Sequence, residues 1–255
     1  MTSFIDVDRS GRVLEITLNR PDKRNALNHE MCLEICEQTE TAATDHSIGA
    51  ILWRANGSVF CSGMDLDEAS GPTATELTAV HARLFSLGAR ITKPIVCVVQ
   101  GPALAGGLGL VANAHIAIAA HGSTFGLTEI RIGMWPYSIY RAIETVVGPR
   151  RALELALSSK IFNTPEAFAW GLIHEVVPPF ELDDRGHSIA ASLANASTET
   201  IQRGMRFVAQ SHDLPLDEYM AEALRQREEN FNSLDFEEGV KAFREKRQPR
   251  WPSHS

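Results

Sequence analysis

The 255-residue chain has few of the features that commit a protein to nucleic acid, disulfide bonds, metals or membranes. Its net charge of −8 argues against a general nucleic-acid-binding surface, so no nucleic-acid partner is expected. The four cysteines form no C-x-x-C pair and the nine histidines show no metal-ligand spacing, which predicts free thiols and no metal site. No apolar run is long enough to span a membrane, and the first residues lack a signal-peptide pattern. These absences predict a cytoplasmic protein with no membrane partner.

Two small-residue loops carry the strongest signal in the chain. The sequence PALAGGLGL, residues 102–110, follows a buried-strand pattern at 95–99 and leads into an Ala-rich stretch typical of a helix. A second loop, FCSGMDL at 60–66, follows another strand pattern at 50–53. Glycine removes side chains from the backbone, and the first turn of a helix leaves N–H groups unpaired. The two loops therefore predict two backbone N–H donors that converge on one oxygen.

Strand and helix patterns alternate along the first half of the chain. Helical patterns follow Asn28, which can cap the helix, and cover 76–90; strand patterns occur at 13–18, 50–53, 95–99 and 115–119. This alternation favours a parallel sheet with helices on its faces. The second half is mostly helical and includes a helix start capped at Thr164, whereas the last residues, 247–255, have the pattern of a frayed end.

In these blocks the chain resembles the crotonase (enoyl-CoA hydratase/isomerase) superfamily, from about residue 4 to about residue 250. Besides the two loops, the matching segments are LNRPDKRNALN at 18–28, FGLTE at 125–129, TPEA at 164–167, WGL at 170–172 and VVP at 176–178. The resemblance implies an α/β fold: a crotonase-like spiral of β-β-α turns with a C-terminal helical oligomerisation region. It predicts a core with the CoA site and active site over 1–195, and a helical region over 196–255 that builds homotrimers or hexamers.

The resemblance also implies the chemistry. Proton removal beside the carbonyl of an acyl-CoA thioester places negative charge on the thioester oxygen, and fixed N–H donors stabilise that charge. The resemblance assigns the two donors to the backbone of Met64 and Gly106. It assigns the acid/base to Glu129, whose apolar neighbours should raise its pKa. Coenzyme A enters as part of the substrate, so no separate cofactor is expected.

Gly109 departs from the family pattern. Hydratases with two catalytic glutamates carry one of them at this position, and the chain has no carboxylate there or at either neighbour. One base is enough to take a proton from one carbon and return it to another, so an enoyl-CoA double-bond isomerase is favoured. Two alternatives stay open: an enoyl-CoA hydratase that works with a single glutamate, and a non-catalytic crotonase-like CoA-thioester binder.

The remaining site predictions concern substrate binding. The resemblance places CoA phosphates and adenine near Arg24, Ala26 and Leu66. Trp135 and Tyr137 either wall the acyl pocket or are core aromatics. The other residues assigned to substrate binding are Ser62, Asp65, Gly107, Gly109, and the pair Phe243 and Lys246 in a segment that reaches a neighbouring subunit's CoA in some relatives.

Four other activities fit the sequence poorly. A superfamily dehalogenase would need an aspartate at Tyr137 and a tryptophan at Glu129, and naphthoate synthases lack a glutamate matching Glu129. Residues 107–112 match G-x-G-x-x-A, but several residues separate them from the preceding strand, which argues against a nicotinamide oxidoreductase. No G-x-S-x-G motif is present for a serine hydrolase.

Overall fold

The main sheet of the computed structural model, which describes residues 3–254, has six strands. In spatial order they are β1 (Ile5–Ser10), β2 (Val13–Leu18), β3 (Ala50–Ala55), β4 (Ile95–Val99), β6 (Ile116–Ala120) and β9 (Glu175–Val177). The first two strands form an antiparallel hairpin, and every later pairing in this sheet is parallel. A smaller sheet contains β5 (Ala103–Leu104), β7 (Thr124–Gly126) and β8 (Ile161–Asn163). The α/β class expected from the alternating pattern is confirmed.

Helices surround the sheets and dominate the second half of the described chain. Their bounds are α1 (His29–Thr44), α2 (Leu66–Ala69), α3 (Ala74–Leu84), α4 (Leu87–Arg90), α5 (Gly106–Asn113), α6 (Tyr137–Val147), α7 (Pro149–Ser158), α8 (Thr164–Ala169), α9 (Leu182–Ala194), α10 (Thr198–Ser211), α11 (Leu216–Phe231) and α12 (Leu234–Glu245). The Asn28 side chain accepts a hydrogen bond from the Met31 amide at 3.2 Å, so it caps α1 as predicted.

Two predictions about helices need correction. The helix expected over 76–90 is divided into α3 and α4, and Gly88 lets α4 approach the end of α5 because a Cβ there would overlap the Asn113 carbonyl oxygen. The cap of α8 is Asn163 rather than Thr164: its side chain and that of Glu166 bind each other's amides.

The C-terminal segment is fixed rather than frayed over the residues that the structure describes. The Trp251 Nε1 donates to the Asn195 carbonyl at 2.8 Å, and the Ser253 amide donates to the buried Asp235 at 2.9 Å. These bonds tie the segment to the end of α9 and to α12. The prediction failed because the anchoring groups are remote in the sequence and meet only in the folded chain.

Apolar residues fill both faces of the main sheet. The larger core lies between the sheet and helices that include α1, α3 and α5, and it contains the four free, buried cysteines. A smaller core lies under α9 on the opposite face. None of the described helices is long and apolar enough to cross a membrane.

The last three long helices expose apolar side chains. No residue of α11 is buried. Exposed large apolar residues on α10 to α12 are Val208, Leu216, Tyr219, Met220, Leu224, Phe231, Leu234, Phe236 and Phe243. A surface of this kind is typical of one that packs against another chain. The division at 195/196 and the oligomerising role of 196–255 stay predictions.

Candidate active site

The two small-residue loops lie side by side at the carboxyl ends of β3 and β4. The Cys61 amide donates to the Pro102 carbonyl at 3.2 Å, and the Leu104 amide donates to the Cys61 carbonyl at 2.9 Å. Gly63 allows this approach, since it has φ 98° and a Cβ there would lie 2.7 Å from Ala105 Cβ. The position of a Cβ at Gly63 is also 3.3 Å from the Gly106 amide nitrogen. The loops thus bring the segments of Met64 and Gly106 together.

The amides of Met64 and Gly106 are unpaired. Leu27 binds the two neighbours of Met64: its amide donates to the Gly63 carbonyl at 2.8 Å, and its carbonyl accepts from the Asp65 amide at 3.0 Å. Gly106 is the first residue of α5, where an amide has no acceptor within its own helix. Neither amide donates to any acceptor within residues 3–254. Two free N–H groups on adjoining loops are the arrangement that an anionic oxygen requires.

Ala105, directly before Gly106, has an unusual backbone conformation. Its φ is 49° and its ψ is −120°, a region that residues with a Cβ rarely occupy. The Ala105 amide donates to the Gly126 carbonyl of β7 at 2.8 Å, which holds the residue in place. Strained backbone conformations of this kind are found at functional sites. Here the conformation of Ala105 sets the direction of the Gly106 amide, the first amide of α5.

A cavity of about 130 Å³ opens beside these amides. Six of the predicted site residues line it: Ser62, Met64, Leu66, Gly106, Glu129 and Tyr137. Apolar cavities of about 150 Å³ can hold a molecule of the size of benzene, so this one suits the reacting end of a substrate.

Glu129 supplies the carboxylate of this cavity. It begins a short 3-10 turn, Glu129–Ile132, directly after the small sheet. Burial raises the pKa of its carboxyl group above the ordinary value of 4.5, and interactions with the backbone of Glu129 and Thr128 offset this only in part. Its Oε2 is buried and has no hydrogen-bond partner among the described residues. The carboxyl group is therefore able to take and return a proton at the cavity.

Gly109 lies under the cavity wall instead of facing the cavity. A Cβ at Gly109 would overlap Ile139 Cγ2 and would lie 3.0 Å from both Ile139 Cβ and Phe85 Cε1. Ile139 and Phe85 themselves line the cavity, and Gly109 is not among the lining residues. Assigning Gly109 to substrate binding is therefore not supported by its position: Ile139 occupies the space that a side chain there would need.

The chain is similar to known proteins along nearly its whole length. The model of a family described as enoyl-CoA hydratase/isomerase matches residues 8–254. The chain belongs to this family. The 2,3-dehydroadipyl-CoA hydratase of Escherichia coli is 32% identical over 97% of this chain and 98% of its own. A 4-chlorobenzoyl coenzyme A dehalogenase of Arthrobacter is 33% identical over 76% and 73% of the two chains. The solved enoyl-CoA hydratase of Mycobacterium smegmatis is 29% identical, with a TM-score of 0.91 over 97% of this chain and 98% of its own.

The family match and these relatives identify a crotonase-type enzyme that processes acyl-CoA thioesters. The resemblance stated from the sequence is confirmed, as is the crotonase fold. The relatives carry hydratase and dehalogenase names, so the comparisons do not choose between isomerase and hydratase chemistry.

The turn at Arg24 and Ala26 adjoins the loop of residues 60–66. Arg24 is exposed with φ 53°, and its carbonyl accepts from the Ser62 amide at 3.0 Å. The buried Asn25 fixes the turn, since its side chain binds the Arg20 amide at 2.8 Å and two carbonyls of the 56–59 segment. An exposed guanidinium on this turn can bind a phosphate.

Three predicted site residues serve packing or positioning. Asp65 binds Arg20 at 2.6 Å and caps α2, and it is not among the cavity-lining residues. Burial alone would raise the pKa of Asp65, but the Arg20 hydrogen bond and the amides of α2 outweigh it and hold the pKa below its usual value. Trp135 packs on Tyr140 with ring centroids 5.8 Å apart, away from the cavity lining. A Cβ at Gly107 would overlap the Cys61 carbonyl oxygen, so this glycine permits loop contact.

Phe243 and Lys246 lie apart from this cavity in the described chain. Phe243 is 85% exposed and borders a separate groove together with Ile201, Val240 and Trp251. Lys246 ends α12 with φ 53°. Their proposed reach toward a neighbouring subunit's CoA stays a prediction.

Sequence reasoning missed several lining residues. His81 and Phe85 come from the α3–α4 region, and Thr128, Ile132, Met134 and Ile139 follow β7. His81 left a signal, because it shares the buried face of α3 with Leu77, Val80 and Leu84. One histidine on an otherwise apolar helix face calls for an explanation.

Proposed function

We propose that the protein is an enoyl-CoA double-bond isomerase that uses one carboxylate and no separate cofactor. The observation that carries this proposal is one cavity with two unpaired backbone amides and one unpartnered carboxylate. The packing of Ile139 and Phe85 over Gly109 supports the choice of isomerase, since a second glutamate has no room there.

The proposed reaction begins with a 3-enoyl thioester. Its carbonyl oxygen accepts hydrogen bonds from the amides of Met64 and Gly106, and ionised Glu129 takes a proton from C2. The resulting dienolate places negative charge on the thioester oxygen, where the two amides stabilise it. Glu129 then returns the same proton to C4, and the double bond moves to C2–C3. The raised pKa of Glu129 makes its carboxylate a stronger base for the removal of the C2 proton, and the carboxylic acid then holds this proton until C4 accepts it.

The CoA portion lies outside the cavity in this proposal. Arg24 and Ala26 bind phosphate and adenine at the turn that adjoins the Ser62 amide. The exposed apolar side chains of α10 to α12 support assembly into a homotrimer or hexamer through residues 196–255. The buried free cysteines fit the reducing conditions of the proposed cytoplasmic location.

A hydratase is the second candidate. The hydratase names of the Escherichia coli and Mycobacterium smegmatis relatives favour it. It would require that Glu129 direct water to C3 without a second carboxylate. A CoA-thioester binder without catalysis is the third reading, and the orphan carboxylate in the cavity argues against it.

A single absorbance assay separates the candidates. The absorbance of the conjugated thioester rises on isomerisation of a 3-enoyl thioester and falls on hydration of a 2-enoyl thioester. We expect faster isomerisation than hydration across a panel of chain lengths. Faster hydration of any 2-enoyl thioester than isomerisation of every 3-enoyl thioester would establish the hydratase reading. Binding without turnover of either class would establish the binder.

A further inference from the structure

His81 is the second residue of the cavity with an unpartnered polar atom. Its side chain belongs to the buried face of α3, is only 7% exposed, and lines the same cavity as Glu129. Among the cavity-lining residues, buried side-chain atoms that lack a partner within 3–254 are Nε2 of His81 and Oε2 of Glu129. The mechanism derived above uses Glu129 and leaves His81 without a role.

The imidazole of His81 is neutral and presents an acceptor. Burial lowers its pKa to about 4, an effect that the hydrogen bond to the Leu27 backbone reduces but does not cancel. A neutral imidazole has one N–H group and one acceptor nitrogen. If the other ring nitrogen carries the N–H group toward the Leu27 backbone, the unpartnered Nε2 is the acceptor.

Packing alone does not account for a histidine at this position. The neighbours on the same helix face, Leu77, Val80 and Leu84, are aliphatic and fully or nearly fully buried. The contact of His81 with the Phe85 ring, at a centroid distance of 5.5 Å, would be made equally well by phenylalanine. A buried acceptor without a partner destabilises the free protein, so a ligand that donates a hydrogen bond there would gain affinity.

We propose that His81 recognises a hydroxyl group at the reacting end of the acyl chain, through a hydrogen bond from that hydroxyl to Nε2. The hydroxyl is either part of the substrate or a water molecule that adds to C3 of a 2-enoyl thioester while a proton reaches C2. Both sources present the same O–H donor to Nε2 of His81. For the substrate hydroxyl, the inference rests on the proposed function, since it concerns the acyl group bound in that cavity; the water source belongs to the hydratase candidate.

A binding experiment tests the substrate source. In a Glu129→Gln background, in which neither ligand reacts, calorimetry compares a saturated acyl-CoA with the acyl-CoA of equal length that carries a 3-hydroxyl. We expect about five-fold tighter binding of the hydroxylated compound, the value of one neutral hydrogen bond. Adding His81→Phe should abolish this preference, adding His81→Gln should restore part of it, and adding His121→Phe, at an exposed histidine, should leave it unchanged.

A kinetic experiment tests the water source. On the otherwise wild-type chain, His81→Phe should reduce hydration of a 2-enoyl thioester at least ten-fold more than it reduces isomerisation of an unsubstituted 3-enoyl thioester. Loss of the hydroxyl preference identifies a substrate hydroxyl, and selective loss of hydration identifies water. If His81→Phe is folded by circular dichroism and changes neither quantity, the inference is overturned and the proposed function stands. If neither acyl-CoA binds the parent protein, both are overturned. If His81→Phe does not fold, His81→Gln and His81→Asn carry the comparison.

Discussion

Replacing Glu129 with glutamine should abolish turnover and stabilise the protein at the same time. Glutamine has nearly the same shape but neither a charge nor a transferable carboxyl proton. Glu129 is the only cavity-lining carboxylate among the described residues, and it serves both proton transfers of the proposed isomerisation. Positioned acid/base groups contribute about 10²–10⁴-fold in rate. Because one residue acts twice, we expect the turnover rate to fall about 10⁴-fold, which corresponds to about 5 kcal/mol in the activation barrier.

The effect on stability follows from the sign of the pKa shift. The folded state raises the pKa of Glu129, so it binds this proton more tightly than the unfolded chain does. The wild-type free energy of unfolding therefore falls as pH rises from the ordinary value of 4.5 through the raised pKa. Glutamine removes that loss. We expect a gain of about 1 kcal/mol at pH 7, at the low end for an unpaired buried polar group, and a Tm higher by about 2–4 °C.

The assay combines turnover of 3-enoyl thioesters with thermal unfolding at pH 4 and pH 7. The difference in Tm between variant and wild type should be larger at pH 7. Glu37→Gln, at an exposed glutamate of α1, is the control and should change neither activity nor this difference. Wild-type activity should also fall as pH drops through the raised pKa of Glu129, since only the ionised carboxylate removes a proton. Turnover within ten-fold of wild type would refute the assignment of Glu129, and a lower Tm at pH 7 would refute the account of its burial.

Three further outcomes are expected. Arg24→Gln should weaken CoA-thioester binding measured by calorimetry. The difference in affinity from wild type should shrink as the salt concentration rises, because exposed charges are screened over about 8 Å at physiological ionic strength. An unchanged affinity would show that Arg24 is an ordinary surface residue. Gly109→Glu alone should destabilise the protein by about 1–3 kcal/mol and lose activity. If lack of space excludes the second carboxylate, adding Ile139→Gly should recover folding and raise the ratio of hydration to isomerisation. An active single variant would contradict this packing argument. Asp65→Asn should lower the free energy of unfolding by about 1–2 kcal/mol at pH 7. This difference from wild type should vanish as pH falls through the depressed pKa of Asp65. A difference that persists in acid would show that the ion pair with Arg20 and the cap of α2 do not cause the loss of stability.

The sequence by itself determined the local features of the fold. The strands Val13–Leu18 and Ile95–Val99 have the predicted bounds, because short runs rich in apolar residues and flanked by turn residues mark both ends of a strand. Asn28 marked the start of α1, since the cap is made within four residues of chain. The glycines of the two loops predicted two converging backbone donors, and the family resemblance assigned them to Met64 and Gly106. Backbone donors there depend on the absence of side chains, which is a property of the sequence itself.

The tertiary structure decided which side chains face the cavity. Ile139 lies 30 positions beyond Gly109, and only the packing of α6 on α5 shows that it fills the space of a second carboxylate. Trp135 and Tyr137 are near neighbours in sequence, yet Trp135 packs on Tyr140 and Tyr137 lines the cavity. His81 lines the cavity because it lies on the buried face of α3, which packs beside the cavity. Such placements depend on contacts between distant elements, whose relative positions are fixed by packing of the whole core and not by any local pattern.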